Sequence, residues 1–267
     1  MSLEASGINN KIEFNKVCLR YFSDEGETEA LRDISFSVAE GEFVSIVGQS
    51  GCGKSTLLSL LNGIVKPTSG EVLVDGLSVK GPSHVTAFML QHDSLFEWRT
   101  ILGNTVLGPE FRGTLTAETR RRAEALLDSY GLKDFKRHFP QQLSGGMRQR
   151  AALARTMCSD PDVLLLDEPF SALDYQTRLS IADEIAEIIR RDNKTAILVT
   201  HDIAEAISMA DRVVVITNRP GRIKSEHRIT FPSMGDARPS PLKAREASEF
   251  KAYFKTIWEE LDGHAVD

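Results

Sequence analysis

Gly48-Gln49-Ser50-Gly51-Cys52-Gly53-Lys54-Ser55-Thr56 is the stretch on which the reading of this chain turns. It follows the apolar run Phe43-Val44-Ser45-Ile46-Val47 and leads into Leu57-Leu58-Ser59-Leu60-Leu61, so a G-x-x-x-x-G-K-[ST] loop stands between a predicted strand and a predicted helix. Phosphate is bulky and anionic. A backbone that closes around it must turn its amides inward, and Gly48, Gly51 and Gly53 permit that curvature. The helix that follows presents its positive N-terminal end to the same anion. Lys54 supplies a point charge for the outer phosphates and Ser55 a hydroxyl ligand for Mg²⁺. In outline this is an ATP or GTP site. A glycine-rich turn that only joins a strand to a helix would explain neither Lys54 nor Ser55 at those offsets.

With 267 residues the chain buries a full core and is long for one compact domain, which suggests one domain with an inserted subdomain. The formal net charge of -6 argues against a general nucleic-acid binder. Cys18, Cys52 and Cys158 are scattered, without a CxxC pair, so a reduced, cytosolic setting is expected. No apolar run approaches the ~20 residues needed to cross a bilayer, and the polar start lacks a signal-peptide core. Any membrane process would be served from the aqueous side.

Outward from the loop, residues 1–10 read as loose and residues 12–19 as an edge strand with imperfect alternation. An acidic loop at 23–29 and a second strand at 34–38 follow, and the turn 39–42 returns the chain to the strand before the phosphate loop. Strands are predicted at 71–74 and 86–90, the latter ending at Gln91. From about 100 to 157 the spacing is helical and the charge density high; Ala117, Ala123, Leu126, Leu127 and Tyr130 are expected to share one face. The α/β texture returns with a strand at 163–166, a helix at 176–191, a strand at 195–199, a helix at 203–209 and a strand at 212–216. Buried strands alternating with helices imply a parallel sheet covered on both faces. Prolines, glycine and serines over 231–241 read as a linker, and 242–261 as one amphipathic terminal helix.

Two further motifs carry chemistry. Val163-Leu164-Leu165-Leu166 ends in Asp167-Glu168-Pro169, and a strand buried on both faces delivers its last side chains to the sheet edge where ligands bind. Asp167 is placed to bind Mg²⁺ and Glu168 to polarise an attacking water as general base. A strand followed by an acidic turn is the plainer alternative for this segment alone. In Leu143-Ser144-Gly145-Gly146-Met147-Arg148-Gln149-Arg150, Ser144 stands at a natural N-cap before a helical run. Its hydroxyl and the following amides make a second phosphate-binding surface, and an ordinary capped helix gives no reason for a glycine pair just inside its N-terminus.

Together with Ser171-Ala172-Leu173-Asp174 and Thr200-His201-Asp202, these motifs resemble, in order, the Walker A, signature, Walker B, D-loop and switch-histidine motifs of ABC transporter ATPase subunits. The resemblance spans about residues 12–230. It implies an α/β fold: a P-loop NTPase (RecA-like) core with a parallel-rich sheet, an N-terminal antiparallel β element and an inserted α-helical subdomain. The domain is expected over 11–230, with the core at 11–92 and 159–230, the insertion at about 93–158, and a linker and C-terminal helical extension at 231–267. The implied ligands are ATP and Mg²⁺. Tyr21 matches the aromatic that stacks on adenine, with Phe22 competing, while Gly48 to Thr56 (Gln49, Ser50 and Cys52 included) form the phosphate loop. Gln91 matches the glutamine that senses Mg²⁺ and the γ-phosphate, which with Ser55 and Asp167 makes the metal set. The catalytic set is Glu168, His201, Lys54 and Gln91. Ser144, Gly145 and Gly146 serve the nucleotide of a second copy, paired head to tail, and Asp174, counted with the nucleotide-binding set, matches the D-loop aspartate that communicates between the two copies.

That family implies integral-membrane permease subunits as partners, a solute-binding protein indirectly, no nucleic acid, and a peripheral location on the cytoplasmic face of the membrane. The segment 93–100 and the run Asn218-Arg219-Pro220-Gly221-Arg222-Ile223 look most like importers of nitrate, sulfonate and taurine or of thiamine precursors. Glu97 stands where those relatives usually have proline before the tryptophan, and Phe231-Pro232-Ser233-Met234 replaces a usual basic stretch. Leu95, Phe96 and Trp98 are expected to form a groove for a helix of the membrane subunit. A soluble non-transport ABC ATPase and an exporter subunit are the alternatives; the first usually carries long coiled coils or paired nucleotide domains, for which the span from Lys54 to Ser144 and the single set of motifs leave no room.

Overall fold

The computed structural model describes residues 10–23, 26–171, 173–235 and 237–262. The segment 1–9, Asp24 and Glu25 of the acidic loop, and Ala172 of the D-loop motif lie outside the described residues. Strands β1 (Asn10–Ser23) and β2 (Gly26–Ala39) pair antiparallel. β3 (Phe43–Val47) runs through the phosphate loop into α1 (Lys54–Leu61). β4 (Ser69–Val74) and β5 (Leu77–Ser78) complete an antiparallel sheet of order β2-β1-β4-β5 among the described residues.

After β6 (Thr86–Met89) come α2 (Ile101–Thr105), α3 (Leu107–Phe111), α4 (Ala117–Ser129) and α5 (Gly145–Met157), then β7 (Val163–Asp167). The chain continues through α6 (Tyr175–Arg191), β8 (Thr195–Thr200), α7 (Ile203–Met209), β9 (Arg212–Ile216), β10 (Ile223–Arg228), α8 (Pro241–Ala244) and α9 (Ser248–Asp262). The second sheet has the order β10-β9-β3-β8-β7-β6 and is parallel except at the β10 edge. The fold is therefore α/β of the P-loop NTPase class, with the antiparallel β element and the helical insertion that the motifs imply.

Alternate side chains of the parallel strands enter different cores, which is why these strands are apolar for most of their length. Leu164 and Leu166 of β7 pack under α4, α5 and α6, while Val163 and Leu165 face α1 and the antiparallel sheet. β8 divides the same way, with Ala196 and Leu198 on one side and Ile197 and Val199 on the other. Helix α1 buries Leu57, Leu58, Leu60 and Leu61 between the two sheets. Each such leucine contributes about 1.5–3 kcal/mol by leaving water. The first helix is thus held on both sides, and the loop that precedes it is held with it.

The structure corrects the expectations in several places. The strand at 12–19 is not an edge: β1 is paired on one side by β2 and on the other by β4. Its alternation is imperfect because the register shifts around Val17, where Lys16 has a φ of 47°. Ala117 is exposed and Leu126 half-buried, so the buried face of α4 rests on Ala123 and Leu127, with Tyr130 just beyond. β10 was not expected, because its residues Ile223-Lys224-Ser225-Glu226-His227-Arg228 carry little apolar signal, as suits an antiparallel edge. The segment read as a linker is packed: Phe231 is buried, its ring 6.3 Å from Tyr253 and 4.9 Å from the Arg238 guanidinium. Pro241 begins α8, and the chain restarts at Ser248, so the terminal helix is two helices.

Glycine at 146 also has a reason within its own chain. A Cβ there would stand 2.9 Å from Thr177 Cγ2 of α6, whereas one at Gly145 would meet Leu173 Cδ2 at 3.4 Å. Gly146→Ala should therefore lower stability by about 1–2 kcal/mol through overpacking, although alanine is the better helix former. Gly145→Ala should be close to neutral. Thermal unfolding of both variants checks the pair, and equal midpoints would contradict the packing argument.

Candidate functional site

The phosphate loop is built by close packing. Gly53 has a φ of 105°, a left-handed conformation, and a Cβ there would come 2.6 Å from Leu31 Cδ2. Cys52 is buried in the core beneath the antiparallel sheet. Lys54 is buried too, and its Nζ donates to the carbonyls of Gly48 (2.8 Å) and Gln49 (3.0 Å). The ammonium is thus held at the mouth of the loop by dipoles of the loop itself.

Two parallel strands bring the acidic groups to the same edge. In register, Asp167 of β7 stands beside Val199 of β8, and His201 follows the end of β8. Ser55 Oγ donates to Asp167 Oδ1 at 3.0 Å, joining the start of α1 to the end of β7. Burial pushes the Asp167 carboxyl up; the Ser55 hydrogen bond opposes this, Glu168 adds to it, and Lys54 opposes it.

Glu168 adopts a φ of 44°, left-handed for a residue with a Cβ, and its N–H donates to the Val199 carbonyl at 2.8 Å. Such backbone costs about 1–3 kcal/mol and persists where the surroundings impose it, commonly at functional sites. Its Oε2 lies 3.0 Å from His201 Nδ1 and 3.5 Å from Gln91 Nε2. Gln91 Nε2 also donates to Ser171 Oγ (3.3 Å), which in turn donates to the Glu168 carbonyl (3.1 Å). A carboxylate held between an imidazole and an amide beside a phosphate loop can accept a proton from water.

A cavity of about 330 Å³ joins these parts. Tyr21 and Ala30 line it, together with Ser50, Gly51, Gly53, Lys54, Ser55 and Thr56 of the loop, and with Gln91, Asp167, Glu168 and Arg219. Of the two aromatics, Tyr21 is on its wall and Phe22 is not. Other residues of the expected site lie elsewhere. The Cys52 side chain belongs to the core, and the Gln49 amide donates to the Leu261 carbonyl of α9 at 3.1 Å, so neither offers its side chain to the cavity.

His201 borders the neighbouring depression with Gly48, Gln49, Ile203, Trp258, Leu261 and Asp262. Ser144 caps α5, its Oγ accepting from Met147 N at 3.4 Å; Asp174 caps α6, its Oδ1 accepting from Thr177 N at 3.0 Å. Neither of these two lines the cavity, nor do Gly145 and Gly146.

A family model described as ABC transporter matches residues 31–171. The chain belongs to the ABC transporter ATP-binding family. It is 46% identical over 242 residues to the uncharacterized ABC transporter ATP-binding protein YtlC of Bacillus subtilis (strain 168), covering 91% of this chain and 92% of that one. It is 40% identical to the taurine import ATP-binding protein TauB of Roseobacter denitrificans, with 84% of each chain covered. The dimeric post-hydrolysis structure of the ATP-binding cassette MJ0796 bound to ADP and Pi superposes with a TM-score of 0.71 at 33% identity, covering 82% of this chain and 99% of that one. The protein is thus an ATPase subunit of an ABC transporter, and ATP is its nucleotide. Among the described residues no helix is long and apolar enough to cross a membrane.

Arg219 and Ser171 of this ABC ATPase lie at the site although the sequence offered them only as members of family-like runs. Arg219 stands in a Pro/Gly run whose signal was its likeness to one group of importers, and nothing along the chain tells that the run folds back on the phosphate loop. Lys54→Ala should abolish ATP hydrolysis and cut nucleotide affinity at least about tenfold, since it removes the cation held inside the loop. Phosphate release and nucleotide titration on one folded preparation check this, and near-normal turnover would contradict it.

Proposed function

We propose that two copies of this chain close head to tail on ATP and that the closing and opening drive permease subunits that import a small anionic solute of the taurine or sulfonate type. One observation carries the reading. Ser144 and Gly145 are exposed at the start of α5, a surface suited to phosphate, yet they do not border the cavity of their own chain. A second copy gives that surface a ligand, and the dimeric form of the MJ0796 cassette supports it. Asp174, which caps α6, is assigned to communication between the two copies.

Within each site Tyr21 would stack on adenine, and the loop amides with Lys54 would hold the phosphate chain. Glu168 takes a proton from the attacking water; His201 and Gln91, both within hydrogen-bonding reach of its Oε2, orient it. The signature residues of the other copy would complete the positive cage around the γ-phosphate. The oxygen donors Ser55, Asp167 and Gln91 suit Mg²⁺, a hard cation that is usually held by one or two carboxylates together with substrate phosphates. No group of three carboxylates, histidines or cysteines clusters among the described residues, which fits that sparing pattern. Bound there, the ion would neutralise charge on the phosphate oxygens.

The helices between β6 and β7 are proposed as the inserted subdomain (about 93–158) that faces the membrane partner, and 231–267 as a C-terminal extension of the 11–230 domain. Arg155 donates to the carbonyls of Asp93 and Ser94 (both 2.7 Å), and Arg148 pairs with Asp93 at 3.0 Å, so the segment after Gln91 is tied to the signature helix. Phe96 and Trp98 stack at 4.8 Å, and Trp98 is exposed, which leaves them as the anchors for a permease helix. Leu95, expected beside them, is buried in the core of the helical layer. The subunit would then sit peripherally on the cytoplasmic face, with a solute-binding protein on the far side of the permease. Import and the class of solute are supported by the TauB relatives.

Glu168→Gln should keep nucleotide binding, lower phosphate release by about 10²-fold or more, and form a dimer with ATP and Mg²⁺ but not with ADP. Sedimentation of that variant with ATP, with ADP, and with ATP after a further Ser144→Arg change reads the outcome. Equal dimer content in all three samples would contradict the head-to-tail arrangement.

A further inference from the structure

The wall of the nucleotide cavity includes one charged residue that comes from none of the nucleotide motifs. Between β9 and β10 the chain makes a tight turn closed by Thr217, whose N–H donates to the Arg222 carbonyl (2.9 Å) and whose Oγ1 accepts from Arg222 N (3.0 Å). The turn is wedged between the phosphate loop and β2. Gly221 N donates to the Ala30 carbonyl and Arg32 N to the Gly221 carbonyl, both at 2.9 Å. A Cβ on Gly221 would stand 2.3 Å from the Cys52 carbonyl oxygen, so only glycine lets the turn come this close to the loop. Arg219 is thereby carried to the loop, where its Nη2 donates to the Gly51 carbonyl at 3.2 Å. It is exposed, and among the described residues no carboxylate pairs with it.

Lys54 and Arg219 are the cations among the residues lining this cavity, facing the carboxylates of Asp167 and Glu168. Lys54 is committed to the carbonyls at the start of the loop. Among the described residues Arg219 makes one hydrogen bond with a group that has five donors, which leaves most of that capacity for a ligand. Its turn is pinned to Ala30, which shares the cavity wall with Tyr21, whereas Gln91, Asp167 and Glu168 form the hydrolytic side. We propose that Arg219 is a nucleotide-binding residue of this ATPase, gripping the part of the phosphate chain that ATP and ADP share. The inference rests on the cavity being the nucleotide site. An arginine fork suits phosphate oxygens, and a cation here offsets charge that Lys54 alone leaves unbalanced.

The test is titration of the full chain with N-methylanthraniloyl derivatives of ATP and ADP, comparing wild type, Arg219→Gln, Arg219→Lys, Arg222→Gln and Lys54→Ala. Arg219→Gln should weaken both nucleotides by the same factor, about five- to tenfold, and raise KM for ATP while kcat stays within about twofold. Arg219→Lys should restore most of the affinity because it restores the charge, and the loss should shrink as salt is raised. Arg222→Gln, at the exposed end of the turn, should bind as wild type. Glutamine can still donate to the Gly51 carbonyl, so a residue that merely braces the loop would tolerate it. Wild-type affinity in Arg219→Gln, or equal loss in the Gln and Lys variants with a lowered melting temperature, would overturn the proposal. Unchanged binding in Lys54→Ala would instead overturn the placing of nucleotide in this cavity.

Discussion

A hydrogen bond of 3.0 Å from Ser55 Oγ to Asp167 Oδ1 is the point through which the rest of the site is assembled. It joins the first turn of α1 to the last residue of β7, elements separated by more than a hundred residues of sequence. Packing of α1 on both sides sets its first turn beside the end of β7. Burial of Asp167 raises the energy of its charged form, and the Ser55 hydroxyl and Lys54 ammonium oppose that cost. A site arranged this way holds a carboxylate that favours the approach of a cation. At the same sheet edge Glu168 adopts left-handed backbone, and its side chain reaches His201 and Gln91.

What was legible in the sequence was whatever has a short-range cause. The phosphate loop could be read because glycines, lysine and serine at fixed offsets have a local mechanism. The buried strands 163–166 and 195–199 could be read because residues covered on both faces must be apolar throughout. The hidden parts depend on contacts distant in sequence. Whether residues 12–19 form an edge or a middle strand depends on β4 arriving from beyond the first helix, and bulges disguise the pattern. Phe231 looked like part of a linker because its partners, Tyr253 and Arg238, lie downstream and pack on it only in three dimensions. Gly146 had two physical readings, anion binding and helix packing, and only the position of Thr177 brings the second into view.

The groups proposed for hydrolysis are also bonded to neighbouring elements. Gln91 touches Glu168 and Ser171, and the chain just beyond it is bonded to Arg148 and Arg155 on the signature helix. On the other side, Arg178 reaches the Leu173 carbonyl (3.2 Å) and Asp202 (3.4 Å), so the residues flanking Asp174 and His201 are held together. Gln49 is bonded to the end of α9. The carboxylate edge of the cavity is thus bonded to the helical layer and to the residues flanking Asp174, and the phosphate loop to the end of α9.

Asp167, at the end of a doubly buried strand, and Ser55, in the first turn of α1, are proposed to hold the divalent ion that accompanies the nucleotide. Electron paramagnetic resonance of Mn²⁺, used in place of Mg²⁺ and titrated into the protein with ADP, measures it directly. The account predicts a tightly bound, nucleotide-dependent Mn²⁺ signal in the wild type, with Asp167→Asn weakening the ion's affinity by at least about tenfold while the chain stays folded. Equal Mn²⁺ affinity in the two proteins would contradict it and would move the metal, and the catalytic edge with it, away from the end of β7.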